Sequence, residues 1–191
     1  MHGINFTPFP ELTTERLNLR RITEEDLDEF FILKSDERLL VHYGAKARTY
    51  EGARQKLREL NDDIGKSESI TWGIALKKDN KLIGSICFWN ISVEQSKAEI
   101  GYELMYEWQG RGIMQEAVEA VIDYGFNGMK LQLIEALPDP DNLKSVKLLE
   151  RNNFIRGTDF IETDSCGNRI QRAFYLLKRG NNDGQSGKNA G

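Results

Sequence analysis

A glycine-rich stretch over residues 109–114 has the residue types of an anion-binding turn. Its sequence is Gln109-Gly110-Arg111-Gly112-Ile113-Met114, between a strand-like run and an amphipathic helix. The glycines let several backbone N–H groups point in one direction, and the first helical turn adds unpaired N–H groups at the positive end of the helix dipole. Because Arg111 adds a permanent cation, the stretch suits a phosphate or pyrophosphate. A plain strand-to-helix turn accounts for the glycines equally well.

Two carboxylates and a polar helix start are the other residues that could do chemistry. Glu99 and Glu103 are four apart on the strand that enters the turn, so both side chains point to one face of a regular strand. Either carboxylate could take a proton from an amine through a water, and solvent-facing strand residues have the same pattern. Asn142 is placed to cap a short helix that has Ser145 in its first turn, where a serine can also simply bond the backbone.

The segments that position these residues alternate between β and α patterns. Period-two runs and helical apolar faces, with Thr23 and Thr49 as helix caps, predict the element order. The predicted strands lie within residues 12–22, 69–76, 82–89, 98–104, 131–137, 154–163 and 170–177, and helices follow Thr23 and Thr49 and span 112–127 and 143–152. This order predicts an α+β fold with a largely antiparallel sheet and one right-handed, locally parallel βαβ step over the glycine turn.

Composition limits the classes of function. The 191 residues carry 26 Lys and Arg against 30 Asp and Glu, so binding of nucleic-acid phosphates is disfavoured as a main role. No run approaches the ~20 apolar residues of a membrane span, and no secretory signal pattern is visible. Cys87 and Cys166 lack metal-ligand spacing, which favours free thiols in a reducing cytoplasm. We expect a cytoplasmic protein with one domain over 1–179, a disordered tail over 180–191, and no metal, nucleic-acid or membrane partner.

Four motifs in order resemble the GNAT superfamily of N-acetyltransferases, in particular the branch that acetylates ribosomal-protein N-termini. Residues 109–114 resemble its Gln/Arg-x-x-Gly-x-Gly/Ala acyl-CoA signature, with Met114 in place of the usual last residue. Residues 12–20 and 98–104 resemble its first strand and the strand before the loop, and 142–154 resembles its Asn-x-x-Ser…Gly-Phe segment. The resemblance spans about residues 12–178 and implies the fold of that family.

The resemblance also implies acetyl-CoA as the co-substrate. The pyrophosphate would lie on the backbone amides of residues 109–114, and the pantetheine arm would pair with backbone groups of Leu104, Met105 and Tyr106. A bulge near residues 102–105 would open the gap between strands 98–104 and 131–137, and Asn142 would also bond the pantetheine. Ser145 matches the family serine near the CoA sulfur, where a donor protonates or stabilises the departing thiolate.

The acceptor side has fewer matched motifs. N-terminal acetyltransferases of this branch often have Glu where this chain has Arg156, and a cation there would repel a cationic amine. Aromatic residues in or near the acceptor segments are expected mostly in the core, with one or two lining the pocket; they are Tyr43, Trp72, Phe88 and Trp89. His42 is either a pocket residue or plain surface.

These features predict transfer of an acetyl group from acetyl-CoA to a primary amine, at a protein N-terminus or on a small molecule, by direct attack. Glu99, Glu103 and Ser145 are the candidate catalytic residues. The alternatives are a polyamine or aminoglycoside acetyltransferase and a catalytically weak or inactive acyl-CoA-binding sensor or scaffold. A nucleotide binder is disfavoured because no Lys-Ser/Thr pair follows the glycines. The habit of the family suggests a homodimer.

Overall fold

A mixed eight-stranded sheet forms the centre of the molecule. The computed structural model describes residues 4–41, 47–163 and 169–180. The strands are β1 Leu12–Thr13, β2 Leu17–Arg20, β3 Ile70–Leu76, β4 Leu82–Ser92, β5 Lys97–Leu104, β6 Leu133–Ala136, β7 Ile155–Arg156, β8 Phe160–Thr163, β9 Arg169–Arg172 and β10 Tyr175–Lys178. The α-helices are α1 Leu27–Ser35, α2 Glu37–Leu40, α3 Tyr50–Lys66, α4 Ile113–Asp123 and α5 Leu143–Arg151, with single 3-10 turns at Glu24–Asp26 and Tyr106–Trp108.

The strand order of the sheet is β1-β2-β3-β4-β5-β6-β10-β7, and β8 and β9 form a separate two-stranded ribbon. Strands β5 and β6 pair in parallel, whereas the other neighbours in both sheets are antiparallel. The predicted α+β class and the locally parallel step across α4 are therefore confirmed.

The prediction of two long C-terminal strands was wrong. Each breaks into two short strands, and only β7 and β10 join the main sheet. The break lies between Arg156 and Phe160, where the N–H of Gly157 donates to the Phe174 carbonyl at 2.8 Å and the Arg156 guanidinium pairs with Asp159 at 2.6 Å. The Gly157–Phe174 bond extends the β7–β10 pairing by one residue pair, and beyond it the chain leaves the sheet and continues as the ribbon.

Strand alternation gives the sheet two different faces. The first face carries buried Ile86 and Phe88 and packs on α4 through Ala117, Val118 and Val121. The second face is covered by α1 and α3, which contact β4 and β3. Since this face carries small and polar side chains near the middle of β4 and β5, it leaves room for a cavity instead of a continuous core.

The predicted helix caps are confirmed. The Thr49 hydroxyl accepts a hydrogen bond from the Gly52 N–H at 3.1 Å, and Asp26 accepts one from the Thr23 N–H at 2.8 Å. Asn153, after α5, adopts a left-handed conformation with φ of 62°. No helix in the described ranges is long and apolar enough to cross a membrane. His42, Tyr43, Cys166 and residues 181–191 lie outside the described residues.

Candidate functional site

A gap in the sheet begins where β5 and β6 separate. Their parallel pairing ends at Glu99 and Glu135, after which β5 continues to Leu104 while β6 ends at Ala136. Pro138 and Pro140 follow β6, and since a proline has no backbone N–H to donate, the strand cannot extend along β5. One edge of β5 is therefore open beyond Glu99.

The bulge that the family resemblance implied at residues 102–105 is absent. Strand β5 pairs with β4 without a register change from Glu99 opposite Trp89 to Leu104 opposite Gly84. The Met105 N–H continues the ladder to the Ile83 carbonyl at 2.9 Å. This prediction was wrong because the gap arises from the early end of β6 and needs no distortion of β5.

The gap opens into a cavity of about 640 Å³ that reaches both faces of the sheet edge. Its second-face wall comes from β4 and β5, and its first-face wall from β5 and α5. The residues that matter for the chemistry are Ser85, Cys87, Glu99, Glu103, Tyr102 and Ser145. The candidate catalytic residues, which are far apart in sequence, thus line one space.

Glu99 is the buried acid of this cavity, with a residue exposure of 7%. Burial raises its pKa to about 7, and Glu135 and Glu162 act in the same direction. The Asn90 amide, which donates to Oε2 of Glu99 at 3.0 Å, and Arg172 lower the pKa in part. A carboxyl with a pKa near neutrality can both take up and release a proton at physiological pH.

Glu103 has a different environment on the same face. Its Oε1 forms an ion pair with Nζ of Lys34 on α1 and accepts a hydrogen bond from the Ser85 hydroxyl at 2.8 Å. The ammonium therefore balances the carboxylate charge, and both side chains are mostly buried. This carboxylate is therefore already engaged in a contact that links α1 to β5.

Ser145 lies on the other side of the gap beside Tyr102. The two hydroxyl oxygens are 2.8 Å apart, and Oδ1 of Asn142 caps α5 by accepting from the Ser145 N–H at 3.1 Å. Burial raises the pKa of Tyr102 to about 12, so this hydroxyl stays protonated at neutral pH. Sequence reasoning did not name Tyr102 as a functional residue, although strand alternation places it on the face opposite Glu99 and Glu103.

The glycine turn has the backbone conformation that its sequence predicts. Gly110 and Gly112 have φ of 74° and 73°, in the left-handed region that side chains with a Cβ rarely adopt. Gly112 precedes α4 and its carbonyl accepts from the Glu116 N–H at 3.1 Å. The N–H groups of Ile113 and Met114 belong to the first turn, which has no intrahelical acceptors.

Cations and an aromatic ring surround this turn. The Arg111 guanidinium lies 5.0 Å from the centre of the Trp108 ring, and Nη1 of Arg16 donates to the Arg111 carbonyl at 3.0 Å. Arg16 also pairs with Glu116 of α4 at 2.6 Å. Arg16 comes from the β1–β2 connection, and sequence reasoning missed it because nothing local relates it to residues 109–114.

The end of β5 is tied to the glycine turn and to α5 by the side chain of Gln109. Its Nε2 donates to the Leu104 carbonyl at 3.1 Å, and its Oε1 accepts from Nζ of Lys144 at 3.0 Å. Both backbone groups of Met105 are engaged, with Ile83 and with Trp108, at 2.9 Å each. Met105 therefore has no free N–H for a pantetheine arm. The Tyr106 ring is half-exposed near the cations of Arg38 and Lys144.

The aromatic and basic residues expected on the acceptor side have separate positions. Trp72 and Phe88 are fully buried in the core, whereas Trp89 is 44% exposed and lines the cavity. Arg156 is exposed, pairs with Asp159, and does not line the cavity. Strand β7 places Arg156 along the far edge of the sheet, and its effect on an amine acceptor stays a prediction.

The ribbon, missed as a separate element, contributes to the acceptor side instead. Glu162 of β8 and Arg172 of β9 form an ion pair at 2.8 Å and line the cavity. Cys87 lines it as well, and burial raises the pKa of its thiol to about 11, so it stays protonated at neutral pH. Among the described residues, no group of three or more His, Cys, Asp or Glu side chains is arranged to hold a metal ion.

Comparison with known proteins places this geometry among acetyltransferases. Residues 16–155 match the sequence model of the acetyltransferase (GNAT) domain. The chain is 35% identical over 171 residues to the uncharacterized N-acetyltransferase p20 of Bacillus licheniformis, a match that covers 88% of this chain and 96% of that protein.

Solved structures share the fold. An acetyltransferase of the GNAT family from Bacillus anthracis superposes with a TM-score of 0.78 at 24% identity, covering 88% of this chain and 98% of that one. RimL, a ribosomal alpha-N-protein acetyltransferase in complex with coenzyme A, superposes with a TM-score of 0.76 at 19% identity, again covering 88% and 98%. At these identities the likeness concerns the fold alone.

Proposed function

This chain belongs to the GNAT family of acetyltransferases, and we propose that it acetylates a primary amine by direct attack of that amine, with Glu99 as proton acceptor and the Ser145–Tyr102 pair as proton donor. That it is an acetyl-CoA-dependent N-acetyltransferase follows from the family. The observation that carries the finer proposal is the single cavity at the open edge of β5, which joins Glu99 on one face to Ser145 on the other.

The residues around the glycine turn fit the phosphates of acetyl-CoA. The left-handed conformations of Gly110 and Gly112 and the start of the 11-residue helix α4 direct N–H groups outward, and Arg111 and Arg16 supply cations. The edge of β5 beyond Glu99 is not paired with β6, which leaves space for an amide-bearing arm to lie along the strand. Leu104 and Tyr106 stay in the proposed path of the pantetheine arm, and Met105 contributes only its buried side chain. Acetyl-CoA, when bound, supplies the activated carbonyl.

Glu99 would remove the proton that an amine must lose. An amine of pKa about 8 to 10 is mostly protonated at neutral pH and cannot attack until it is deprotonated. A carboxyl with a pKa of about 7 is half ionised at pH 7, and its basicity is much higher than that of an ordinary glutamate. Glu103 is therefore withdrawn as the preferred base, since its charge is already balanced by Lys34.

Ser145 would protonate the departing thiolate. Its hydroxyl can donate toward the sulfur while accepting from Tyr102, whose proton is retained at neutral pH. The Asn142 cap fixes the backbone of Ser145 at the start of α5. Cys87 supports direct attack as opposed to an acyl-enzyme, because a thiol with a pKa of about 11 is a poor nucleophile.

The acceptor belongs to the class of primary amines, either a protein N-terminus or a small molecule. The position of Arg156 outside the cavity and its ion pair with Asp159 support an N-terminal amine as one of these acceptors. The exposed ring of Trp89 at the cavity supports acceptors with a cationic or apolar body. Homodimer formation and a cytoplasmic location stay predictions.

The test is CoA release from acetyl-CoA with a panel of amines that includes N-terminal peptides, polyamines and amino acids. The proposal expects turnover with at least one amine, and a loss of ~100-fold or more in kcat for Glu99→Gln, with a smaller loss for Glu103→Gln. Absence of CoA release with every amine, together with thermal stabilisation by acetyl-CoA, would instead assign the protein to the sensor class.

A further inference from the structure

Strand β4 carries an extra residue directly opposite the candidate base. Trp89 pairs with Glu99, and the next pair is Ser92 with Lys97, so β4 advances by three residues while β5 advances by two. This is a β-bulge. Within it, Asn90 has φ of 48°, a left-handed conformation that asparagine tolerates better than most residues.

The bulge changes the face of the sheet to which the Asn90 side chain points. Trp89 and Glu99 are cross-strand partners and share the second face of the sheet. In a regular strand the next residue, Asn90, would point to the opposite face, away from Glu99. Instead, its Nδ2 donates to Oε2 of Glu99 at 3.0 Å, and both residues line the cavity. The backbone irregularity thus brings this amide to that carboxylate.

The Asn90 amide is a neutral hydrogen-bond donor among several charged side chains. Glu135 of β6 and Glu162 of β8 oppose ionisation of Glu99, and Arg172 of β9 favours it. The other charged or titratable groups that line the same cavity are Arg48, Glu68 and Asp139, Lys34 of α1, Lys56 and Asp63 of α3, Cys87 of β4, and Tyr102 and Glu103 of β5. Of the groups around Glu99 in the described structure, Asn90 holds a specific oxygen of the carboxylate.

We propose that Asn90 is a positioning residue for the acetyl transfer, because the bulge of β4 holds its amide on Oε2 of Glu99 and so presents Oε1 to the acceptor amine. This inference rests on the proposed role of Glu99 as the proton acceptor. It goes beyond that role because it assigns the orientation and the ionisation of the base to a residue of the neighbouring strand.

Two substitutions separate the amide from the backbone conformation. Asn90→Gly keeps access to the left-handed conformation and removes the donor. Asn90→Asp keeps the shape and replaces the donor by a second carboxylate. The matched control is Asn153→Gly, which makes the same change at another left-handed asparagine, with φ of 62°, outside the cavity.

The readouts are the pH profile of kcat/KM and the titration of the Glu99 carboxyl carbon by NMR in the protein without substrates. Loss of a hydrogen bond to the charged form should move the acid limb of the profile and the NMR titration up by about 0.5 to 1 pH unit in Asn90→Gly. At pH 7 the ionised fraction of the free enzyme, and with it kcat/KM, should fall by about two- to fivefold. Asn90→Asp should shift both readouts further, and Asn153→Gly should shift neither.

The outcomes distinguish this inference from the proposed function. If Glu99→Gln abolishes turnover while Asn90→Gly leaves both the pH profile and the NMR titration unchanged, the positioning role of Asn90 is overturned and Glu99 remains the base. If Glu99→Gln retains full kcat, the base assignment fails, and the inference fails with it whatever the NMR titration shows. An equal shift in Asn153→Gly would also overturn it, because the effect would then not come from the amide.

Discussion

Replacement of Glu99 by glutamine should change the stability of the protein, relative to the parent, more favourably at alkaline pH than at acid pH. Burial raises the pKa of this carboxyl from 4.5 to about 7. A carboxyl whose pKa is higher in the folded protein than in the unfolded protein favours folding while it is protonated. This contribution is complete below the unfolded pKa and is lost as the pH rises through the folded pKa. Above pH 7 the native protein therefore carries a buried charge that is costly. Glutamine retains an oxygen acceptor for the Asn90 amide and has no charge to bury.

The magnitude follows from the pKa difference. At about 1.4 kcal/mol per unit, the shift from 4.5 to about 7 corresponds to at most about 3.4 kcal/mol, of which about 2.5 kcal/mol falls between pH 5 and pH 8. In a domain of this length, 1 kcal/mol shifts the melting temperature by about 2–4 °C. The melting temperature of Glu99→Gln, measured relative to the parent protein, should therefore rise by about 5–10 °C between pH 5 and pH 8.

Calorimetric melting of the two proteins at pH 5, 6, 7 and 8 measures this offset. The matched control is Glu103→Gln, which removes a carboxylate whose charge Lys34 balances. It should lower the melting temperature at every pH, because it leaves a mostly buried ammonium without its partner, at a cost of about 1–3 kcal/mol. If the offset of Glu99→Gln is constant across the pH range, or falls at pH 8, the reasoning about its burial is refuted.

Three further substitutions test other parts of the site. Gly112→Ala should raise KM for acetyl-CoA by about fivefold or more, because the φ of 73° at this position costs a residue with a Cβ about 1–2 kcal/mol. The control is Gly65→Ala, which should leave KM unchanged because a Cβ at Gly65 meets nothing within 4 Å. Ser145→Ala should lower kcat by about 10- to 100-fold with KM for acetyl-CoA within about twofold, and unchanged kcat would exclude it as the donor. Arg156→Ala should leave kcat/KM unchanged for peptide and small amines, and a large change would place it near the acceptor.

The fold was largely predictable because its elements carry local signals. Period-two runs, the caps at Thr49 and Asn142, and the turn glycines depend on neighbours within a few residues, and each was confirmed. The break in the C-terminal strands was not predicted because the place where β7 and β10 stop pairing, at Gly157 and Phe174, is set between segments 17 residues apart. The absent bulge in β5 has a similar cause, since the early end of β6 alone opens the gap.

The candidate site was predicted as a set of residues but not as a set of roles. Glu99 and Glu103 are equivalent in sequence, with the same residue type on the same face of one strand. Lys34, 69 positions before Glu103, neutralises one carboxylate, whereas the other is buried next to Glu135 and Glu162. No pattern within the strand could distinguish a base from an ion-pair partner.

The difference between these two carboxylates explains why the charge of the proposed base, Glu99, destabilises the folded protein. Glu103 is paired with Lys34, and this ion pair links α1 to β5. Burial of Glu99 opposes its ionisation and so do Glu135 and Glu162, and the Asn90 amide and Arg172 offset this in part, so the charge of Glu99 opposes folding. A base must be able to bind the proton of an amine, and that ability requires a carboxylate that the fold does not fully compensate. The stability contribution of Glu99 should therefore level off as the pH rises past about 7, the same pKa that sets the midpoint of the acid limb of activity.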